Sequence, residues 1–215
     1  MGMTRKFDKL FDDWSKTYDQ TVSGRDIEYK EVFEGYDHIL LEVAKKAKGY
    51  IFEFGVGTGN LTEKLIKMEK EVYGIEPSKG MRNIARHKLP GATIVEGDFL
   101  KFPMPDRNPD TIVSTYAFHH LTDAEKADAL QHFGKMLREG GRIVFADTIF
   151  VSIEAKQDMI KEAESKQFNR LAADLKTEFY PTISTMNHLF GEAGFAVTFT
   201  QKNRFVWLME ATKKE

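Results

Sequence analysis

The chain has 215 residues, of which 41% are hydrophobic and 30% charged, and its 31 basic and 33 acidic side chains leave a net charge of -2. That length buries a sizeable core in one domain, and the composition excludes intrinsic disorder. The near-balanced charge offers no basic surface for nucleic acid; no apolar run approaches membrane-spanning length, the first ten residues lack a signal peptide's apolar stretch, and zero cysteines remove disulfides, thiolate metal sites and a cysteine nucleophile. The expectation is one cytoplasmic domain over 1–215 that handles a small molecule.

Two amphipathic helices come first. Phe7, Leu10, Phe11, Trp14 and Tyr18 recur at helical spacing, and so do Tyr29, Val32, Phe33, Tyr36, Leu40 and Val43. Together they read as a helical lid over 1–48. Short apolar strands then alternate with helices, at 51–54, 72–75, 93–95, 111–115 and 142–147, the pattern of a parallel sheet covered on both faces. Thr122 with Glu125 reads as a capping box, and Gly140 and Gly141 close the same helix. A helical insertion spans 149–180, a helix follows over 182–193, and strands at 195–201 and 205–211 form an antiparallel hairpin. The fold class is α/β, Rossmann-like, with a seven-stranded mostly parallel sheet ending in that hairpin.

Glycines 55, 57 and 59 lie between the first strand and its helix, where open α/β sheets bind ligands. The spacing is G-x-G-x-G. A dinucleotide fingerprint wants its third glycine at position 60, which is Asn60, so the pyrophosphate site is compromised. Glu53 precedes the loop. Glu76, 21 residues after Gly55, ends the second strand, where a carboxylate accepts both ribose hydroxyls of an adenosine ligand. Ser78 is set to cap the next helix, with Met81 placed to pack on an adenine ring. Gly97, Asp98 and Phe99 follow the third strand, and they read either as an adenine-binding turn with an apolar wall or as a plain Gly-Asp turn.

The fourth strand runs into Tyr116, His119, His120 and Leu121. Imidazoles titrate near neutral pH, so either histidine can accept a nucleophile's proton, or one can pack on the ligand while the other holds a loop. As metal ligands they are disfavoured here, because adjacent residues are expected to point apart and no nearby carboxylate completes a set. Tyr180, after Phe179 and before Pro181, is a candidate roof for the acceptor pocket, Tyr18 a candidate cofactor cover, and Trp207 a core residue.

Motifs and strand order together resemble class I S-adenosylmethionine-dependent methyltransferases, and nearly the whole chain resembles the YrrT family. The segments that carry this are 11–21, 27–40, 53–65, 74–81, 97–100, 111–122 and 206–212. The resemblance implies S-adenosylmethionine as cofactor, S-adenosylhomocysteine as product, and binding through Gly55, Glu76 and Asp98, with Glu53 facing the cofactor ammonium and Lys16 or Arg25 its carboxylate. Val56 stands where the family pattern would have proline. The acceptor is not implied. Two rivals remain: a binding protein that senses the same nucleosides without turnover, and a nicotinamide-dependent oxidoreductase, which Asn60 opposes.

Overall fold

A computed structural model of the chain describes residues 21–215. Helix α1 (Tyr36–Lys46) leads into alternating strands and helices: β1 (Tyr50–Phe54), α2 (Asn60–Lys67), β2 (Glu71–Glu76), α3 (Lys79–Lys88), β3 (Thr93–Glu96) and β4 (Thr111–Thr115). A short 3-10 turn, Phe118–His120, precedes α4 (Asp123–Met136), β5 (Arg142–Thr148), α5 (Ile153–Ser165), α6 (Asn169–Thr177), α7 (Ile183–Glu192), β6 (Phe195–Gln201) and β7 (Val206–Lys213). The sheet order is β3-β2-β1-β4-β5-β7-β6. Only β7 runs against the others, pairing antiparallel with both β5 and β6.

Side-chain alternation along the strands builds the two core faces. Ile51, Val113, Val144 and Leu208 join Leu40, Val43 and Leu65 on one side. Phe52, Phe54, Ile112, Phe145 and Met209 join Leu130, Phe133 and Phe190 on the other. All of β1 is buried, as a central parallel strand requires. Consecutive strands lie on opposite sides of the β1–β4 pair, so the sheet's switch point sits there and the loops after both strands open on one crevice.

The strand expectations hold to within a residue or two, and Thr122 makes both hydrogen bonds of its capping box. One helix differs. The stripe at 29–43 predicted continuous helix, but Gly35 adopts φ 71°, and helix begins only at Tyr36. Residues 27–35 run as turns that still bury Val32 and Phe33. Periodicity located the apolar face there without knowing that a left-handed residue would cut the helix. The first predicted helix, with Lys16 and Tyr18, lies outside the described residues.

The 149–180 segment forms α5 and α6 and closes on itself, with Phe150 bridging Thr182 and its amide donating to the Pro181 carbonyl. Arg170 of α6 pairs with Asp26 and Glu28, and the Tyr29 hydroxyl donates to Asp174. These contacts pin the 26–29 segment to the insertion. Among the described residues no helix is long and apolar enough to cross a membrane.

Candidate active site

Gly55, Gly57 and Gly59 all have positive φ. At Gly55 (φ 71°) a side chain is excluded twice, by the left-handed backbone and because a Cβ would lie 2.6 Å from the Ala117 Cβ. That close approach presses the loop after β1 against the loop after β4. Val56, in place of the expected proline, fixes the turn by packing: it is buried with Ala85 and Ile94 and sits over Gly74, where a Cβ would meet it at 2.8 Å.

Three carboxylates stand at strand ends. Glu76 accepts hydrogen bonds from the Gly57 amide (2.8 Å) and the Ser78 amide (2.8 Å), so it ties the glycine loop to the start of α3. Ser78 caps that helix through the Met81 amide, and Met81 is buried on its first turn. Glu53 is buried and accepts from the Thr62 hydroxyl at 2.7 Å. Burial pushes its carboxyl up to about 8. Asp98 Oδ1 accepts from the Leu100 and Lys101 amides, each at 2.8 Å, and so braces its own turn. Phe99 is buried, its ring stacked on Phe54 at 5.3 Å. It belongs to the core beneath the site. Arg25 lies at the end of a helical turn, Thr21–Arg25, and is exposed.

Beyond β4 the chain turns sharply. Tyr116 is left-handed (φ 53°), its ring lies 5.2 Å from Phe33 and 5.4 Å from Tyr36, and its buried hydroxyl has no hydrogen-bond partner among the described residues. A non-glycine residue held in that region costs roughly 1–3 kcal/mol, which concentrates at functional sites. The Ser114 hydroxyl nearby is likewise buried and unpartnered. Two orphaned hydroxyls beside a glycine-lined crevice fit a site that takes a polar ligand.

The histidines correct the sequence reading. They do not point apart: their ring centroids are 4.0 Å from each other, and each has a carboxylate behind it. His119 Nδ1 lies 2.6 Å from Asp147 Oδ1, and its amide donates to Asp147 Oδ2 at 3.0 Å. His120 Nδ1 lies 3.0 Å from Oε2 of Glu178, which arrives from the insertion. Burial pulls the His119 imidazole down, but the Asp147 charge and hydrogen bond outweigh it and hold the ring above its ordinary value. Burial and then the His119 charge push His120 below its ordinary value. Tyr180 stacks on His119 at 4.8 Å, and burial drives its hydroxyl well up. Trp207 is partly buried against the core, paired with Asp147 across the β5–β7 ladder.

Asp147, Glu178 and Lys126 were missed in the sequence. Lys126 is fully buried on the apolar face of α4, and its ammonium donates to the carbonyls of Leu121 and Phe179. The Phe179 amide in turn donates to the His119 carbonyl at 3.2 Å. Lys126 thus joins the histidine turn to the insertion. Lys126→Met keeps the stem's volume but strands two buried carbonyls, and is expected to cost about 2–4 kcal/mol, read as a lower denaturant midpoint. An unchanged midpoint would mean that water satisfies both carbonyls.

Three comparisons bear on this geometry. The methyltransferase-domain family profile matches residues 51–141, the stretch from β1 through α4. The YrrT methyltransferase of Bacillus subtilis, itself uncharacterised, is 55% identical over 213 residues, covering 99% of this chain and 100% of that protein. The chain belongs to this methyltransferase family. An uncharacterised methyltransferase of Anoxybacillus flavithermus matches equally, 55% identical over 212 residues, covering 99% of this chain and all of the relative. Among solved structures, the magnesium protoporphyrin IX methyltransferase of Synechocystis PCC 6803 with bound S-adenosylhomocysteine superposes with a TM-score of 0.70 at 15% identity, covering 96% of this methyltransferase and 99% of that chain. At that identity the likeness speaks for the fold, which is the class I arrangement expected from the sequence.

Proposed function

We propose that this methyltransferase uses S-adenosylmethionine to methylate a small-molecule acceptor held between the histidine turn and the insertion. The observation that carries the reading is the Glu76 carboxylate bound to the Gly57 amide at the switch point, with the loop bearing His119 packed directly on Gly55. The sulfonium supplies an activated methyl group, and the protein's part is alignment and exclusion of water.

Each residue then has a role. Glu76 takes the ribose diol, Asp98 the adenine amino group and Met81 the adenine face, with Phe99 supporting that wall from below. Glu53, at the end of β1, answers the cofactor ammonium. Gly55, Gly57 and Gly59 let the cofactor lie on bare backbone. Tyr18 covers the cofactor, and Lys16 or Arg25 meets its carboxylate. On the acceptor side Tyr116 and Tyr180 line the pocket. His119, oriented by Asp147, takes the proton of a hydroxyl or ammonium acceptor, with His120 as the second catalytic imidazole; a thiolate or carboxylate needs neither. A sensor without turnover has no use for a buried histidine–carboxylate pair there. Composition supports a cytoplasmic enzyme free of nucleic acid and membrane.

Calorimetric titration tests the reading. S-adenosylmethionine and S-adenosylhomocysteine are expected to bind at roughly micromolar Kd, about -8 kcal/mol, and NAD not at all. Asp98→Ala should weaken both nucleosides while His119→Ala leaves them bound and slows transfer of labelled methyl to a metabolite extract. Binding of NAD alone, or of no nucleoside, overturns the proposal.

A further inference from the structure

We propose that His119, His120 and Glu178 form a site for one divalent transition-metal cation of the zinc, iron or cobalt kind. One ligand-capable atom from each residue can be chosen so that all three lie within 4.8 Å of one another. Metal–ligand distances near 2.0–2.2 Å put ligand atoms about 3–3.5 Å apart, and His120 Nδ1 and Glu178 Oε2 already stand at 3.0 Å. Closure therefore requires the remaining pairs, up to 4.8 Å apart, to draw together. Two imidazoles and one carboxylate are a borderline nitrogen/oxygen set that suits zinc, iron, cobalt or manganese and not calcium or magnesium, which prefer all-oxygen sites.

Three further features are those of a built site. Asp147 engages His119 Nδ1 at 2.6 Å, which leaves Nε2 as the coordinating atom; a carboxylate behind a ligating imidazole is the usual outer-sphere partner, fixing ring and tautomer. The two chain segments that carry the ligands are locked together by the Phe179 amide on the His119 carbonyl and by Lys126 on the carbonyls of Leu121 and Phe179. The charged groups around the cluster are Asp147, Glu178 and Asp174 on one side and Lys126 and Lys156 on the other, with Lys126 paired with Asp123 at 3.3 Å, so carboxylates outnumber ammonium groups beside the imidazoles. Three protein ligands also leave coordination positions open, as catalytic sites do.

The cation site does not rest on methyl transfer. If the methyltransferase reading holds, the two states of the site differ chemically. Without metal, His119 Nε2 is the proton acceptor; with metal, that lone pair is spent on the cation, which acidifies a bound hydroxyl or thiol of the acceptor. The acceptor's proton then passes to water, and its oxygen or sulfur forms the bond to the methyl carbon as the sulfonium carbon–sulfur bond breaks.

The test is titration of tag-free, chelator-stripped protein with Co2+, followed by visible absorption, with Zn2+ as competitor. One equivalent is expected to bind at micromolar Kd or tighter and to be displaced by Zn2+. Binding should weaken at least thirtyfold in His120→Ala and in Glu178→Gln, which preserves shape if the alanine variant misfolds. His188→Ala, on α7, should bind as the unaltered protein does. Absence of d–d absorption at millimolar Co2+, or equal binding in all three variants, overturns the proposal. Calorimetry of S-adenosylmethionine on the same samples separates this failure from failure of the cofactor reading.

Discussion

Glu76→Ala is expected to weaken S-adenosylmethionine binding by about a hundredfold and to lower the melting temperature of the ligand-free protein by several degrees. The carboxylate holds the Gly57 and Ser78 amides, which fixes it at the mouth of the glycine loop where a ribose diol would meet it. A ribose diol adds two hydrogen bonds to a charged acceptor, each contributing about 1.5–3 kcal/mol net of competition with water. A net loss near 3 kcal/mol, at about 1.4 kcal/mol per factor of ten, gives the hundredfold figure. The same deletion frees the glycine loop from the start of α3, and each kcal/mol lost lowers Tm by about 2–4 °C in a chain of this size. Glu76→Gln should fall between, because it keeps one acceptor oxygen. Calorimetry alongside thermal unfolding decides the matter: a lower Tm with undiminished affinity would reduce Glu76 to a loop brace.

Glu76 was legible because its signal is local: a glycine loop, a fixed interval and the end of an apolar strand. β4 was legible at its observed bounds, Thr111–Thr115, for the same reason. What the sequence hid was contact between distant segments. Asp147 reaches His119 across 28 positions and Glu178 reaches His120 across 58. Adjacent histidines seemed to diverge only because those partners could not be placed. Two clues were present all the same. Asp147 stands one residue before the end of an apolar strand, much as Glu76 stands at the end of its own, so the rule that found one carboxylate applied to the other. Lys126 lies on the stripe it shares with Ala129, Leu130 and Phe133, and a lysine on a buried helical face has to find acceptors there. Gly35 teaches the converse: an apolar stripe reports which side is buried, whereas the backbone conformation of one glycine decides whether helix delivers it.

S-adenosylmethionine affinity is expected to rise by about tenfold per pH unit from pH 6 toward pH 8, with nearly one proton released per molecule bound at pH 7. Glu53 carries this dependence. It is buried within β1, where Thr62 offers it hydrogen bonds from its hydroxyl and its backbone, and burial, reinforced by the Glu76 charge, raises its carboxyl from 4.5 to about 8. In the ligand-free protein it is therefore protonated at neutral pH. A cationic ammonium brought alongside favours the ionised form, so binding must expel the proton, and does so more easily as pH approaches the ligand-free value. Stability moves the other way. The contribution of a carboxyl with a raised folded-state pKa is complete below its unfolded value of 4.5 and is lost as pH rises to about 8. The ligand-free protein should thus lose Tm across that window, while the stabilising shift caused by S-adenosylmethionine grows. Glu53→Gln, which can still accept from Thr62, should flatten both profiles, stabilise the ligand-free protein at pH 8 and weaken cofactor binding there. Titrations at pH 7 in buffers of different ionisation enthalpy count the proton directly. Tight binding with no proton released would place the ammonium away from Glu53 and leave that residue as a neutral partner of Thr62 in the core.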